Sequence, residues 1–117
     1  MATKRTVDLI TEAFSDVMTV RRKYELKKPN GEILKEIYFP PLTRFDRKQA
    51  QVAAGTDDAL TISTRLLCQL AENEDGTKAF ASSDAENLQR FLPETVLNEL
   101  ELFMMDIQVD LDTAKNE

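Results

Sequence analysis

Apolar residues recur at two periods along the chain, and each change of period marks an element. Val7, Ile10, Phe14 and Val17, with Leu9 and Met18 beside them, follow steps of three and four. That spacing gathers side chains on one helix face and predicts a helix over 8–18, with Thr6 as its cap. From Thr19 the period shortens to two. Val20, Arg22, Tyr24 and Leu26 alternate with Arg21, Lys23, Glu25 and Lys27. Asn30-Gly31 then supplies the positive φ of a tight turn. Alternation resumes with Ile33, Lys35 and Ile37 opposed to Leu34, Glu36 and Tyr38. Two alternating runs about such a turn predict a β-hairpin over about 19–39. Pro40-Pro41 ends it, because proline cannot donate to the ladder.

The remainder returns to the helical period. Thr43 is a candidate cap and Gly55 a stop for a helix containing Asp46, Ala50, Val52, Ala53 and Ala54. Thr56 or Asp57 caps a second helix. One of its faces carries Leu60, Ser63, Leu67 and Leu70, and the adjacent one Ala59, Ile62, Leu66 and Leu70. The polar loop closed by Gly76 lacks the alternating oxygen ligands of a calcium loop. Ser83-Asp84-Ala85-Glu86 has the form of a capping box, followed by Leu88, Phe91 and Leu92. Pro93 suits the first position of a last helix over 93–111, with Leu97, Leu100, Met104, Ile107 and Leu111 on one stripe. Glu99, Glu101, Asp106, Asp110 and Asp112 read as its acidic solvent edge.

These elements predict an α+β fold, mainly α. An N-terminal helix and a β-hairpin precede a bundle of three to four helices in a single domain over 1–117. The helical part runs over about 43–112 and a frayed tail over 113–117. The expected core comprises Phe14, Ile37, Phe39, Phe45, Leu60, Leu66, Leu67, Leu70, Phe91, Leu97, Leu100 and Phe103.

Chemistry narrows the picture further. The sequence has no histidine, one cysteine and three separated glycines. Ser-His-Asp and Cys-His catalysis and the usual zinc sites are therefore excluded, and no phosphate loop is present. Cys68, in an apolar helical pattern, reads as a small buried hydrophobe. No catalytic residue, metal ligand or cofactor is expected. No apolar run is long enough to span a membrane, and the N-terminus lacks an apolar signal core. With a lone cysteine, this points to a reducing cytoplasm. Net charge is −6, divided as +4 over residues 1–50 and −10 over residues 51–117. An acidic total speaks against nucleic acid as partner. The opposed halves suit self-association, with Arg21, Arg22 and Lys27 on the basic side and Glu99, Asp106 and Asp110 on the acidic side. Cross-strand pairing of the hairpin cations with Glu32 and Glu36 is the competing expectation. Leu102 and Val109 make the last helix apolar beyond its main stripe, so that Leu97, Leu102, Met104, Met105 and Val109 either fill the core or face a partner. Adjacent methionines adapt to varied partners, so these five residues are candidate partner-binding positions.

The series YFPPLTRFDRKQAQVAAG, then TRLLCQL, then EDGTKAFASSDAENLQRFLPETVLNEL, between about residues 36 and 105, resembles the tail assembly chaperones of long-tailed (siphovirus-type) bacteriophages. The resemblance implies a non-catalytic protein of the host cytoplasm that binds the tape measure protein and keeps it soluble before the tail tube forms. It also implies association with copies of itself. In that family a longer form often arises by ribosomal slippage near the end of the short protein. Ala114-Lys115-Asn116 is compatible with a slippery heptamer if encoded GCA-AAA-AAC, so a longer frameshifted form of the chain is a further expected partner. The alternative is a structural tail-completion or head–tail connector protein of the virion. A DNA-binding regulator is disfavoured by charge, and a carboxylate-only enzyme by the lack of a convergent set of acids.

Overall fold

The computed structural model describes residues 4–106. Helix α1 (Thr6–Phe14) and a 3-10 turn (Val17–Thr19) lead into strands β1 (Arg22–Lys27) and β2 (Ile33–Phe39). Helices α2 (Arg44–Ala54), α3 (Ala59–Leu70), α4 (Asp84–Phe91) and α5 (Glu94–Met104) follow. The architecture is α+β, as the periodicities predict. Helix α1 is shorter than expected, and Arg5 rather than Thr6 stands at its N-cap, without a side-chain hydrogen bond. The continuation of α5 towards Leu111, with Val109 and Asp110, lies outside the described residues.

The hairpin is antiparallel, with Tyr24 opposite Ile37 and Arg22 opposite Phe39. Lys28 N–H donates to the Glu32 carbonyl at 2.7 Å, and Gly31 sits at φ 92°, which an L side chain rarely tolerates. Lys23 pairs with Glu36 at 3.0 Å and Lys28 with Glu32 at 3.8 Å, the cross-strand arrangement expected of the basic cluster. A third piece of backbone extends this ladder. Tyr38 and Glu72 exchange hydrogen bonds of 2.9 and 2.8 Å, and Glu72 bridges in turn to Lys78. The loop after α3 thus covers the outer edge of β2 and hides its polar groups from other chains.

The core lies where the base of the hairpin meets α3 and α5. Ile37, Phe39, Ala50, Leu66, Leu67, Leu70, Ala71, Leu97, Leu100 and Met104 form one buried cluster. Phe103 and Tyr24 pack at its edge with ring centroids 5.1 Å apart, and Phe39 lies 5.7 Å from Phe103. Of the expected core, Phe14, Phe45, Leu60 and Phe91 are instead exposed, Phe91 by 78%. The reasons are local. Helix α2 buries its small Ala50 rather than its aromatic residue. Helix α4 turns Ala85, Leu88 and Leu92 inward, and Phe91 falls outside that arc. Leu60 stands in the first turn of α3, at the rim of a groove.

Caps set the helix boundaries. The Thr43 hydroxyl accepts from Asp46 N–H, and Asp46 accepts from Thr43 N–H, which satisfies two amides reciprocally. Gly55 closes α2 in the left-handed region at φ 66°. Helix α3 is capped by Asp58, not Thr56 or Asp57. Its carboxylate accepts from Thr61 N–H at 3.0 Å and from the Thr61 hydroxyl at 2.6 Å. Those bonds hold the Asp58 carboxyl below the usual range. The box expected at Ser83 is absent: Ser83 is in the α region and its side chain caps nothing. Asp84 accepts from Ala81 N–H instead, and Glu86 pairs with Arg90 at 2.7 Å. Pro93 is the N-cap residue of α5, one position before the place expected.

Candidate interaction surface

The residues that the core leaves over are concentrated at the N-terminus. No residue of α1 is buried. Val7, Ile10 and Phe14 share a face at steps of three and four, and each is more than half exposed. The exposed apolar run continues through Val17 and Met18 of the 3-10 turn to Val20. The helical period places an amphipathic helix here, but the expectation that its Phe14 enters the core is not met. The core is filled from β1, β2 and the later helices, and α1 stands outside it.

At the end of this run a groove of about 320 Å³ opens between the 3-10 turn and the C-terminus of α5. Val17, Val20, Pro41, Leu42, Met104 and Met105 line it, with Arg22 and Asp106 at its polar edge. The mouth is held by Arg22. Its guanidinium donates to the Phe103 carbonyl at 2.6 Å and to the Met104 carbonyl at 3.1 Å, and stacks 4.5 Å over the Phe103 ring. Asp106 follows at 3.6 Å. A strand cation thus adds donors to the carbonyls at the end of α5, where Phe103 also accepts from Asp106 N–H at 3.1 Å, and complements its dipole. Asp106 has φ 58°, an uncommon conformation for a non-glycine residue.

The sequence-derived partner-binding positions divide accordingly. Leu97 and Met104 are core residues, Met104 only 1% exposed. Met105 is half-buried at the groove, and Leu102 is at the surface. Val109 lies outside the described residues. Among the self-association candidates, Arg21 is committed within the chain. It donates to the Asn73 and Glu74 carbonyls at 3.0 and 2.8 Å, pairs with Glu72 at 3.3 Å, and stacks on Tyr38. Arg22 is committed as described. Lys27 and Glu99 are exposed, with Glu99 3.5 Å from the Tyr24 hydroxyl, and Asp110 lies outside the described residues. Burial first, and then Glu99, pushes the Tyr24 phenol up.

A second groove, of about 340 Å³, lies between α3, α4 and α5. Leu60, Leu92 and Leu97 form apolar walls, and Asp58, Glu94 and Glu101 contribute three carboxyl groups. Glu101 is 7% exposed, not on a solvent edge as its charge suggests. One of its oxygens accepts from the Thr64 hydroxyl at 2.9 Å, and Gln89 donates to that hydroxyl at 3.1 Å. Burial pushes the Glu101 carboxyl up, and the Thr64 hydrogen bond draws it partly back. The periodicity held the signal: Glu101 is four residues after Leu97 and one after Leu100, on the inward stripe itself.

Cys68 is buried, and desolvation pushes its thiol to about 11, which keeps it protonated and unreactive near neutral pH. Among the described residues, no group of three or more cysteine and carboxylate side chains is placed to hold a metal ion. Nor is any helix there long and apolar enough to cross a membrane.

No protein-family model matches the sequence, and no curated protein matches it. Among solved structures, the fold is similar to that of the bacteriophage HK97 tail assembly chaperone. The two share 10% sequence identity, with a TM-score of 0.48, over 82% of this chain and 97% of that one.

Proposed function

We propose that this chain is a tail assembly chaperone of a long-tailed bacteriophage. It binds the tape measure protein in the host cytoplasm and keeps it soluble while the tail is built, without catalysis. The observation that carries the reading is the exposed apolar run from Val7 through Val20, which among the described residues leads into the groove of Met104 and Met105. A holding protein needs apolar surface beyond its own core, and contiguous exposure of this kind marks an interaction site. The choice of the tape measure protein as client rests on the resemblance of the series between residues 36 and 105 to tail assembly chaperones. Copies of the chain, and a longer frameshifted form of it, are further partners on this reading.

The surface also suits a client that is itself helical and apolar. An isolated helix of nine residues is marginal in water, so α1 gains stability when another segment covers its face. The test is co-expression with the tape measure protein of the same phage, followed by co-purification at matched salt. An Ile10→Ser/Phe14→Ser double variant removes the face without touching the core, so it should melt like wild type but leave the client insoluble. Equal recovery of soluble client with both proteins would refute the α1 surface. Finding the chain as a stoichiometric component of purified virions would favour a structural tail component instead.

A further inference from the structure

Helix α2 carries a second surface that neither the core nor the proposed client contact uses. Phe45, Lys48 and Val52 stand at steps of three and four on its outward side, with Arg44 and Arg47 beside them. Phe45 and Val52 are 66% and 81% exposed. Among the described residues, Arg44, Arg47 and Lys48 have no carboxylate within salt-bridge distance, whereas Arg21, Arg22, Lys23, Lys28 and Arg90 each have one. The helix therefore presents two apolar side chains with a free cation between them.

The groove between α3, α4 and α5 is its complement in both respects. It offers leucine walls, including the exposed Leu60, and three carboxyl groups with no Lys or Arg among its lining residues. Glu101 at this groove is more than nine-tenths buried. Among the described residues, one of its oxygens accepts from the Thr64 hydroxyl, and the other is open to the groove rather than sealed in the core. An accessible carboxylate oxygen at the floor of a groove retains lone pairs that a donor on another molecule can use.

We propose that copies of this chain join head to tail, the outward face of α2 on one copy seating in the α3–α4–α5 groove of the next. Phe45 and Val52 cover the leucine walls, and Lys48 enters among Glu94, Asp58 and Glu101. The two surfaces are different patches of one molecule, so the contact is heterologous and propagates into a ring or a filament rather than stopping at a twofold dimer. It replaces the hairpin arginines as the basic side of self-association, since those are engaged within their own chain. It does not depend on the identity of the client.

The test uses the full chain in sedimentation velocity across protein concentration and salt. Lys48→Glu and Glu94→Lys change exposed residues: the first should melt as wild type does, and the second, which sets a cation in the first turn of α5, slightly below it while staying folded. Wild type should associate, less so at high salt, and each variant should associate about tenfold more weakly or worse. Mixing the two variants should restore association. The intact groove of Lys48→Glu then meets the intact α2 of Glu94→Lys, so each pair contains one native interface. A monomeric wild type at about 100 µM would overturn the proposal. So would single variants that associate as wild type does, or a mixture without rescue. Loss of client capture by Glu94→Lys with self-association unchanged would assign the groove to the client instead, and would also overturn it.

Discussion

Arg22→Ala tests how the end of α5 is held in place. In the native chain the guanidinium makes two hydrogen bonds to helix-end carbonyls, at 2.6 and 3.1 Å, and stacks 4.5 Å over Phe103. The side chain is about one-third exposed, so solvent screening brings each charge-assisted bond below its usual range, to about 1 kcal/mol. Stacking adds about 0.5–1 kcal/mol, and the favourable charge at the helix C-terminus a few tenths. The Asp106 pair, at 3.6 Å with a largely exposed carboxylate, adds little. Together these give a destabilisation of about 3 kcal/mol. Urea denaturation read by circular dichroism measures it as a lower midpoint at unchanged slope. Arg22→Lys separates geometry from charge: an ammonium keeps the dipole interaction but loses the fork and the stacking, so it should recover less than half of the loss. A loss below about 0.5 kcal/mol for Arg22→Ala, or full recovery by lysine, would refute the claim that this arginine clamps α5 to the hairpin.

Four further outcomes follow from the packing and the caps. Leu66→Ala should cost about 2–5 kcal/mol by opening a cavity, whereas Phe91→Ala should change stability by less than about 0.5 kcal/mol, both by denaturant titration. Thr43→Ala should cost about 1 kcal/mol because it breaks a reciprocal cap, and Ser83→Ala almost nothing, since that hydroxyl caps no amide. Glu101 carries a raised carboxyl, so its native state binds a proton more tightly than its unfolded state does. Its contribution is therefore fullest below the unfolded value near 4.5 and is lost as pH rises through the folded one. Thermal melts should show Glu101→Gln gaining on wild type as pH rises from 4 to 7.5. A gap that stays constant with pH would contradict a buried carboxyl there. Cys68 should resist a thiol-reactive probe at pH 7.5 in the native protein and react fully after unfolding.

The sequence was most legible where a local signal and the core agreed. Asn30-Gly31 between two alternating runs fixed the hairpin and its turn. Thr43 with Asp46, and Gly55, fixed both ends of α2. Periodicity also identified Leu66, Leu67, Leu70, Leu97 and Leu100 as core. It failed where a residue's type was read without its angular position. Glu101 was read as solvent edge for its charge, although it stands on the buried stripe, and Phe45 and Phe91 were read as core for their size, although they lie off theirs. Non-local pairing was beyond reach altogether. That Glu72 would join the edge of β2, or that Arg21 and Arg22 would be consumed by the loop after α3 and by the end of α5, depends on contacts across 34 to 82 residues of chain. Periodicity within one element cannot report such contacts. The same limit hid the fate of α1, whose apolar face predicts burial without saying against what.

That face and the α2 stripe differ in a way that suits different tasks. From Val7 to Val20 the exposed apolar residues are mainly aliphatic, with a single aromatic, and of the charges around them Lys4 and Glu12 pair at 2.9 Å. Such a surface binds by area and tolerates variation in what covers it. The α2 stripe sets a cation between two apolar anchors, and its complement sets carboxyl groups between leucines, so a shift of one turn opposes charge to leucine and leaves a carboxyl unpaired. That penalty confers register more than affinity. Under the proposed function the chain would need both properties on separate surfaces: tolerance towards a client of varied sequence, and fixed geometry between successive copies along it. If one patch served both, each bound client segment would compete with the neighbouring copy, and coverage would stop where the client's sequence changed.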